Sequence, residues 1–380
     1  MAKIINFSEV NPVSKKQNLI IKNQIFSEIK KKKFILGKSV NIFEKEFSKL
    51  SKVKYSVGCA SGTDALILSL MSLNLKKEDE IIVPGMSYIS TGLSVILNNN
   101  KLVFADIDDK TGLISIDRVA KKINKKTKAI IPVNLYGQKV NLKKLRKVIG
   151  SKIAIIVDSA QSIFAYDCYN CSSNQNKKCC KKRMDEKYSD ISCYSFYPSK
   201  NLGAYGDAGL IATNNKSIYK KLLAIRNLGS IEKDKFTLIG KNSRLDTIQA
   251  VVLRNKIKNV PRWNDERRRI SNIYDENFKR IKEIKLTKTS PGSSRHLYVI
   301  RTKKRDKLRD YMFKKKIICQ THYQYSLNQL IPFKKLIKKQ KLVNSEKWSK
   351  ECLSLPLHPE MKEIQINKVI YEVKKFFLIN

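Results

Sequence analysis

A lysine that follows a predicted strand is the residue in this sequence best suited to covalent chemistry. Lys200 lies between Ser195 and Gly209, in a segment rich in hydroxyl groups and glycines. An amine that is shielded from water can form a Schiff base with an aldehyde cofactor. Because lysine and arginine together number 77 in the chain, a lysine alone carries little information. Its position at a strand end, five residues after Ser195, favours a chemical role.

Two other segments offer groups for a phosphate and for a ring nitrogen. Gly62 and Thr63 lie in a small-residue turn from a predicted strand into a predicted helix, where free N–H groups attract phosphate. Asp158 ends a very apolar strand, at the sheet edge where ligands of doubly wound folds bind. Its carboxylate can hold a protonated ring nitrogen. A packing turn at Gly62 and a helix N-cap at Asp158 are the structural alternatives.

A fourth segment, 240–250, places Asn242 and Arg244 before a strongly apolar helical face. These polar residues suit a ligand contact, and helix capping also explains them. The four segments together point to one cofactor.

Short apolar runs alternate with amphipathic stretches from about position 54, and this alternation predicts the scaffold. Strands and helices in turn at this spacing indicate a largely parallel, doubly wound sheet. The expected strands are 55–59, 80–83, 101–105, 129–133, 153–157, 191–196 and 209–213.

The predicted fold class is α/β, with two domains. Residues 1–245 form a large domain in which a mostly parallel seven-stranded sheet lies between helices. Two helices within 19–50, separated by a turn at 34–37, precede that sheet. Residues 246–380 form a smaller C-terminal α/β domain, which includes strands at 297–302 and 318–322.

The chain has a formal net charge of +44, which ordinarily suggests a nucleic acid or an anionic surface as partner. The excess is mostly lysine and is spread along the whole chain. We interpret the densest runs, at 30–33 and 267–269, as solvated helix faces. Specific nucleic-acid binding is therefore not expected, and a basic nucleic-acid-binding regulator is the alternative function.

Neither an export signal nor a membrane span is predicted. The N-terminus has no apolar core of a signal peptide, and no apolar run approaches the roughly 20 residues that a membrane helix needs. We expect a cytoplasmic protein without membrane contact.

The eight cysteines are expected to be reduced thiols. Cys59, Cys193, Cys319 and Cys352 occur singly among mainly small or apolar neighbours, as core residues do. The other four lie in an insert at 167–187, as a CxxC pair and a CC pair that could hold zinc. Their irregular spacing favours a surface loop, so no metal site is predicted. The three histidines are too scattered for a metal site, and none is assigned a catalytic role.

The four segments closely resemble those of sugar-nucleotide aminotransferases of the DegT/StrS type, which have the aspartate-aminotransferase-like fold (fold type I). The resemblance extends from about Ile5 to the C-terminus, and its most specific match is the segment 195–209. Further matching motifs lie at 34–37, 43–46, 133–138, 295–298 and 353–357. The resemblance implies pyridoxal 5'-phosphate as the cofactor.

The resemblance also implies a role for each residue that faces the cofactor ring. Lys200 would form a Schiff base with the cofactor and then move protons between the substrate carbon and the cofactor carbon. Asp158 would keep the pyridine nitrogen protonated, so that the ring accepts electrons. Tyr88 would stack on the ring, and Gln161 would lie near the ring hydroxyl.

The cofactor phosphate has its own set of residues in the resemblance. Gly62 and Thr63 would offer backbone amides, and Ser195 would offer its hydroxyl. Asn242 would reach the phosphate of the neighbouring subunit, which implies a homodimer with shared active sites.

The substrates implied by the resemblance are a nucleotide-linked keto sugar and an amino-acid donor, with glutamate expected. Such a reaction belongs to amino-sugar or cell-surface polysaccharide biosynthesis. The sugar is expected on UDP or TDP, and the run 196–209 favours amination at C3 slightly over C4. Arg244, His322 and Tyr323 are the candidate substrate-binding residues.

A pyridoxal-phosphate-dependent sugar dehydratase, which is a lyase, is the alternative enzyme. Some similar proteins that dehydrate sugars carry histidine where this chain has Lys200, so amination is favoured. Two departures from the family pattern bear on the substrate. They are the insert at 167–187 and Asn328, which stands where the family commonly has histidine.

Overall fold

The computed structural model describes residues 4–166, 188–232, 234–336 and 340–379. The cysteine-rich insert predicted as a surface loop lies outside these residues. The helices are α1 (Lys15–Lys31), α2 (Lys38–Ser51), α3 (Gly62–Met71), α4 (Ile89–Leu97), α5 (Ile116–Ala120), α6 (Leu142–Ile149), α7 (Lys216–Ile225), α8 (Thr247–Ile257), α9 (Val260–Phe278), α10 (Arg305–Lys314), α11 (Ile331–Lys334), α12 (Val343–Glu351) and α13 (Glu363–Ile379). The strands are β1 (Tyr55–Cys59), β2 (Glu80–Pro84), β3 (Lys101–Ala105), β4 (Thr127–Ile130), β5 (Ala154–Asp158), β6 (Ile191–Ser195), β7 (Gly209–Thr213), β8 (Ser230–Glu232), β9 (Lys235–Phe236), β10 (Lys285–Leu286), β11 (Tyr298–Arg301) and β12 (Cys352–Leu355).

A seven-stranded sheet in the order β1–β7–β6–β5–β4–β2–β3 forms the centre of the first two thirds of the chain. β7 pairs antiparallel with β1 and β6, whereas the pairs from β6 through β5, β4 and β2 to β3 are parallel. This mostly parallel sheet confirms the predicted α/β fold class. All seven strands begin and end within three residues of their predicted positions.

Apolar strands allow this sheet to bury both of its faces. Leu68 of α3, Val95 of α4 and Leu222 of α7 belong to one cluster of buried residues with side chains of the sheet. Val119 of α5 and Leu145 of α6 belong to a second cluster with other side chains of the sheet. With helices packed against the sheet in this way, its carboxyl edge is the place for a ligand.

Helices α2 and α8 pack against the part of the sheet that contains β6 and β7. The rings of Phe43 and Phe47 in α2 contact Phe196 edge-on, with centroids 5.5 Å and 6.1 Å away. Leu253 of α8 is buried in the same cluster. Because α8 packs here, the predicted domain boundary at 245 falls just before a helix that contacts the large sheet, and it stays a prediction.

The last third of the chain contains a three-stranded antiparallel sheet in the order β10–β11–β12. Tyr274 of α9, Met312 of α10 and Val373 of α13 are buried against it. The strand predicted at 318–322 is wrong, because Gln320 forms only an isolated bridge to β12.

The four cysteines that were predicted to be core residues are buried and free, which confirms that prediction. Burial raises the pKa of the Cys193 thiol well above its ordinary value, so the thiol stays protonated. Among the described residues, no helix is long and apolar enough to cross a membrane.

Candidate active site

A cavity of about 600 Å³ opens at the carboxyl ends of β1, β2, β5 and β6. It collects nine of the eleven residues that were predicted to bind cofactor or substrate, from segments far apart in the sequence. These nine are Gly62, Thr63, Tyr88, Asp158, Gln161, Ser195, Lys200, His322 and Tyr323. Asn242 and Arg244 do not line this cavity.

Lys200 lies in a tight loop after β6, where its backbone N–H donates to the Tyr197 carbonyl at 2.8 Å. The loop needs a glycine at 203, because a Cβ there would lie 2.2 Å from the Pro198 carbonyl oxygen. Desolvation lowers the pKa of the Lys200 amine to about 8, and the Asp158 carboxylate offsets part of this effect. Lys200 is the only lysine among the described residues that line the cavity, so its amine is placed where a nucleophile would be needed, and its catalytic role stays a prediction.

Asp158 is the last residue of β5 and is buried in the cavity wall. Its Oδ2 accepts the Thr91 hydroxyl at 3.0 Å, and its Oδ1 accepts the Ala160 N–H at 3.1 Å. Burial raises the pKa of this carboxyl, whereas the two hydrogen bonds and the charge of Lys200 lower it. No described helix begins at Asp158, so the alternative role as a helix N-cap does not apply. A cationic ligand placed here would favour the ionised carboxylate.

The turn from β1 into α3 has the geometry of a phosphate site. Ser61 caps α3 by accepting the Asp64 N–H at 3.1 Å. The first N–H groups of a helix have no partner within it, so those of Gly62 and Thr63 are suited to an anion. A Cβ on Gly62 would lie 2.6 Å from the Ser195 Cβ, so only glycine allows these two segments to approach.

Hydrogen bonds hold the side chains that were predicted to contact the cofactor ring and the substrate in fixed positions relative to one another. Gln161 Oε1 accepts the Tyr136 N–H at 2.6 Å, and its Nε2 donates to the Tyr323 hydroxyl at 3.0 Å. The Tyr136 hydroxyl donates to the His322 carbonyl, and His322 Nδ1 lies 2.9 Å from the Ser354 hydroxyl. Desolvation lowers the pKa of His322 to about 4, so its ring is neutral at pH 7. The ligand contacts of Gln161, His322 and Tyr323 remain predictions.

Three of the predicted site residues are exposed or only partly buried. Tyr88 is 58% exposed, and its ring centroid is 5.9 Å from that of Tyr323. Asn242 is exposed, and its backbone forms an isolated bridge with Asn227. Arg244 donates to the Asn227 side-chain oxygen at 3.1 Å. The predicted roles of these three residues remain predictions: Tyr88 stacks on the cofactor ring, Asn242 reaches the phosphate of a neighbouring subunit, and Arg244 binds the substrate.

Arg267 and His296 line the cavity, although neither was predicted to belong to the site. The interpretation of the arginine run as a solvated face is wrong for Arg267, which is 3% exposed, and holds for Arg269, which is exposed. Successive residues of an α-helix are rotated by about 100°, so three in a row cannot share one face. The family-like motif at 295–298 was the available sequence signal for His296.

The donor set fits a phosphorylated pyridine aldehyde rather than a metal. Lys200 can react with the aldehyde, Asp158 can hold a protonated ring nitrogen, and the turn at Gly62 and Thr63 can hold the phosphate. Among the residues that the structure describes, no group of three or more histidine, cysteine, aspartate or glutamate side chains could hold a metal ion.

The fold and this donor set define a pyridoxal-phosphate-dependent aminotransferase. The model of the DegT/DnrJ/EryC1/StrS aminotransferase family matches residues 19–374, so the chain belongs to that family. The resemblance drawn from the sequence, and with it the cofactor, is confirmed.

Individual relatives cover nearly the whole chain. A UDP-N-acetyl-3-dehydro-alpha-D-glucosamine 3-aminotransferase of Acidithiobacillus ferrooxidans is 33% identical, over 90% of this chain and 89% of its own. A protein of Geobacillus stearothermophilus named pleiotropic regulatory protein is 33% identical over 91% of both chains. The crystal structure of S. venezuelae DesV in complex with a ketimine intermediate has a TM-score of 0.91 at 28% identity, and 99% of each chain is covered.

Replacing Gly62 by alanine should weaken the binding of pyridoxal phosphate by roughly 10- to 100-fold, because the new methyl group meets Ser195 Cβ and displaces its hydroxyl from the phosphate site. Dissociation constants of pyridoxal phosphate and of pyridoxal, which lacks the phosphate, measure this effect. Gly206→Ala is the matched control, since its Cβ would meet only the end of the Gln249 side chain, at 3.1 Å. An equal loss for both ligands would contradict a phosphate-specific role.

Proposed function

We propose that this aminotransferase moves an amino group from glutamate to C3 of a keto sugar that is carried on UDP or TDP. The observation that carries this proposal is the single cavity in which Lys200, Asp158 and the phosphate turn at Gly62 meet, in a member of an aminotransferase family. The name of the A. ferrooxidans relative, which contains both UDP and a 3-amino transfer, supports the nucleotide and the carbon. The role would lie in amino-sugar or surface-polysaccharide biosynthesis.

In this proposal Lys200 moves the protons of the reaction, and Asp158 stabilises the positive charge of the ring nitrogen. Bound pyridoxal phosphate supplies an acceptor for the electrons that are left when a carbon–hydrogen bond breaks. Lys200 Nζ takes the proton from the α-carbon of the donor, and in the second half-reaction it delivers a proton to the sugar carbon that receives the nitrogen. Asp158 holds the positive charge of the ring nitrogen throughout, from a buried position where electrostatic interactions are strong.

The same proposal includes a homodimer whose subunits complete each other's sites. Asn242 is exposed outside the cavity of its own subunit, as a residue that reaches a neighbouring phosphate has to be. Tyr88 and Tyr197 line the cavity and are more than half exposed, at 58% and 54%, which supports a partner that covers them.

Two alternatives have less support. A sugar dehydratase is disfavoured because this chain has Lys200 where some similar sugar dehydratases have histidine. A nucleic-acid-binding regulator is suggested by the net charge of +44, and the name of the G. stearothermophilus relative contains the word regulatory, but nucleic-acid binding would use none of the cavity residues. In an enzyme, the positive charge favours the approach of a nucleotide diphosphate.

Incubation of the enzyme with pyridoxal phosphate, glutamate and matched 3-keto and 4-keto nucleotide sugars should give a product aminated at C3. The new nitrogen is located by NMR, and the absorbance of the cofactor should change when glutamate is added alone. A product that carries nitrogen only at C4 would contradict the choice of C3 and leave the aminotransferase class intact. A protein that binds no pyridoxal phosphate would contradict the whole proposal.

A further inference from the structure

An acidic residue follows the turn that is suited to the cofactor phosphate. Asp64 is the third residue of α3, directly after Gly62 and Thr63, and its side chain is 12% exposed. A carboxylate in the first turn of a helix interacts with the positive end of the helix dipole. Since a phosphate at the helix N-terminus uses the same positive potential, an uncompensated charge on Asp64 would weaken phosphate binding at Gly62 and Thr63.

The groups of this subunit that were predicted to hold the phosphate are uncharged. They are the backbone N–H groups of Gly62 and Thr63 and the hydroxyl of Ser195. The lysine and arginine side chains that line the cavity come from other segments of the chain. The balance of charge beside the phosphate turn therefore depends on Asp64 and on the group that pairs with it.

Lys241 is the partner of Asp64. Its Nζ donates to Asp64 Oδ1, and no other side chain among the described residues pairs with this carboxylate. Lysine and aspartate carry opposite unit charges at pH 7, so the pair as a whole is neutral. Lys241 therefore removes the net negative charge that Asp64 alone would place beside the phosphate turn.

Backbone hydrogen bonds hold the segment of Lys241 in place without help from its side chain. The Lys241 N–H donates to the Ile225 carbonyl at 2.7 Å, and its carbonyl accepts the Leu228 N–H at 3.2 Å. Two residues further on, the hydroxyl of the buried Ser243 accepts the Ala60 N–H at 3.1 Å, just before the phosphate turn. Removal of the lysine amine is therefore expected to change the charge beside the turn and to leave the fold intact.

We propose that Lys241 is a positioning residue that holds and neutralises Asp64, and that it thereby raises the affinity of the turn at Gly62 for the cofactor phosphate. Lys241 acts through Asp64 and does not contact the phosphate itself. This role rests on the proposed function only in that the turn holds the phosphate. Because the phosphate ligands are uncharged, the net charge of the pair controls how tightly the cofactor is retained.

Variants that change the net charge of the pair test this role in the full chain, prepared without cofactor. Lys241→Met leaves the pair negative, Asp64→Asn leaves it positive, and the double variant is neutral like the wild type. The dissociation constant of pyridoxal phosphate should rise by roughly 5- to 20-fold in Lys241→Met, because the phosphate then approaches an uncompensated negative charge. Asp64→Asn should bind at least as tightly as the wild type, and the double variant should return to within about 2-fold of it.

Ligands that isolate the phosphate give further readouts without turnover. Pyridoxal, which lacks the phosphate, should bind Lys241→Met and the wild type equally, within about 2-fold. Inorganic phosphate, titrated by calorimetry, should show the same order of affinities as pyridoxal phosphate. The lysine is 42% exposed, and the Debye length is about 3 Å at 1 M salt, so the loss in Lys241→Met should shrink to less than about 2-fold at that salt concentration.

Lys31 supplies the matched control, because it also pairs with an acidic side chain that is 12% exposed. Its Nζ lies 3.2 Å from Glu28 Oε1, and both residues belong to α1, which does not line the cavity. Lys31→Met should leave the affinity for pyridoxal phosphate unchanged. Lys241→Arg keeps the charge of the pair and should retain the wild-type affinity.

Unchanged affinity in Lys241→Met, or equal losses in Lys241→Met, Asp64→Asn and the double variant, would overturn the assignment, since the pair would then only hold the segment in place. A loss in Lys241→Met that persists in the double variant would also overturn it, because Lys241 would then act on the phosphate directly. If Gly62→Ala binds pyridoxal phosphate as tightly as the wild type, the phosphate turn itself is assigned wrongly. That result contradicts the proposed function, so the two failures are separable.

Discussion

Lys200→Ala should reduce turnover by at least about 10,000-fold while pyridoxal phosphate still binds without covalent attachment. Lys200 is the only lysine among the described residues of the cavity wall, and desolvation lowers the pKa of its amine to about 8. In the proposed reaction, removing this amine removes both the nucleophile and the base that moves the substrate proton. Steady-state kinetics measure the loss, and borohydride reduction followed by mass spectrometry tests whether the cofactor is attached.

Lys256 is the matched control, because burial also lowers the pKa of its amine to about 8 although it does not line the cavity. Its Nζ donates to the Gly203 carbonyl at 2.9 Å, so Lys256→Met should reduce stability and still allow cofactor attachment. Equal losses of turnover in the two variants would show that a buried amine as such, rather than its place in the cavity, is required.

The pH dependence of the Lys200 amine gives an independent readout of the same prediction. A lysine with a lowered pKa loses its proton as the pH rises through that value, and only the neutral amine is nucleophilic. In the cofactor-free protein, acylation at Lys200 should therefore increase with pH and level off above about 8. Exposed lysines should continue to gain reactivity toward their ordinary pKa near 10.4.

The large sheet could be predicted because each of its strands is recognisable from its own residues and their neighbours in the sequence. β1, β3 and β7 occupy the predicted residues, since each is a short apolar run between turn residues. The segment 318–322 has a similar apolar start but forms no strand, because Gln320 has only an isolated bridge to β12 as a partner. Whether an apolar run pairs as a strand depends on which distant segment lies beside it in the fold. The local sequence pattern contains no information about that segment.

The candidate site, like the fold, could be predicted from the sequence only in part. Asp158 ends β5, whereas Gly62 and Lys200 lie in the segments that follow β1 and β6. Since the carboxyl ends of these strands meet at one edge of the sheet, the grouping of the three residues followed from topology. Arg267 could not be found in this way, because it comes from α9 and reaches the cavity only through the packing of the last third of the chain. Asn242 does not line the cavity, and its predicted contact with a neighbouring subunit depends on a second chain, for which one sequence provides no geometry.

Asp158→Asn should reduce turnover by roughly 1,000-fold with little change in the affinity for pyridoxal phosphate, because an amide has the same shape but cannot stabilise a positive ring nitrogen. The replacement is expected to fold, since the amide oxygen can still accept the Ala160 N–H, now at 3.1 Å, and the amide N–H group can donate to the Thr91 hydroxyl oxygen, now 3.0 Å from Oδ2. Thr91→Val is the matched control. It removes one hydrogen bond to the carboxylate and keeps the charge, so a loss of about 10-fold is expected. Turnover numbers and cofactor dissociation constants of both variants are to be measured. If Asp158→Asn lost no more activity than Thr91→Val, the negative charge at the end of β5 would have no part in the reaction, and the cofactor nitrogen would have to be stabilised by another group.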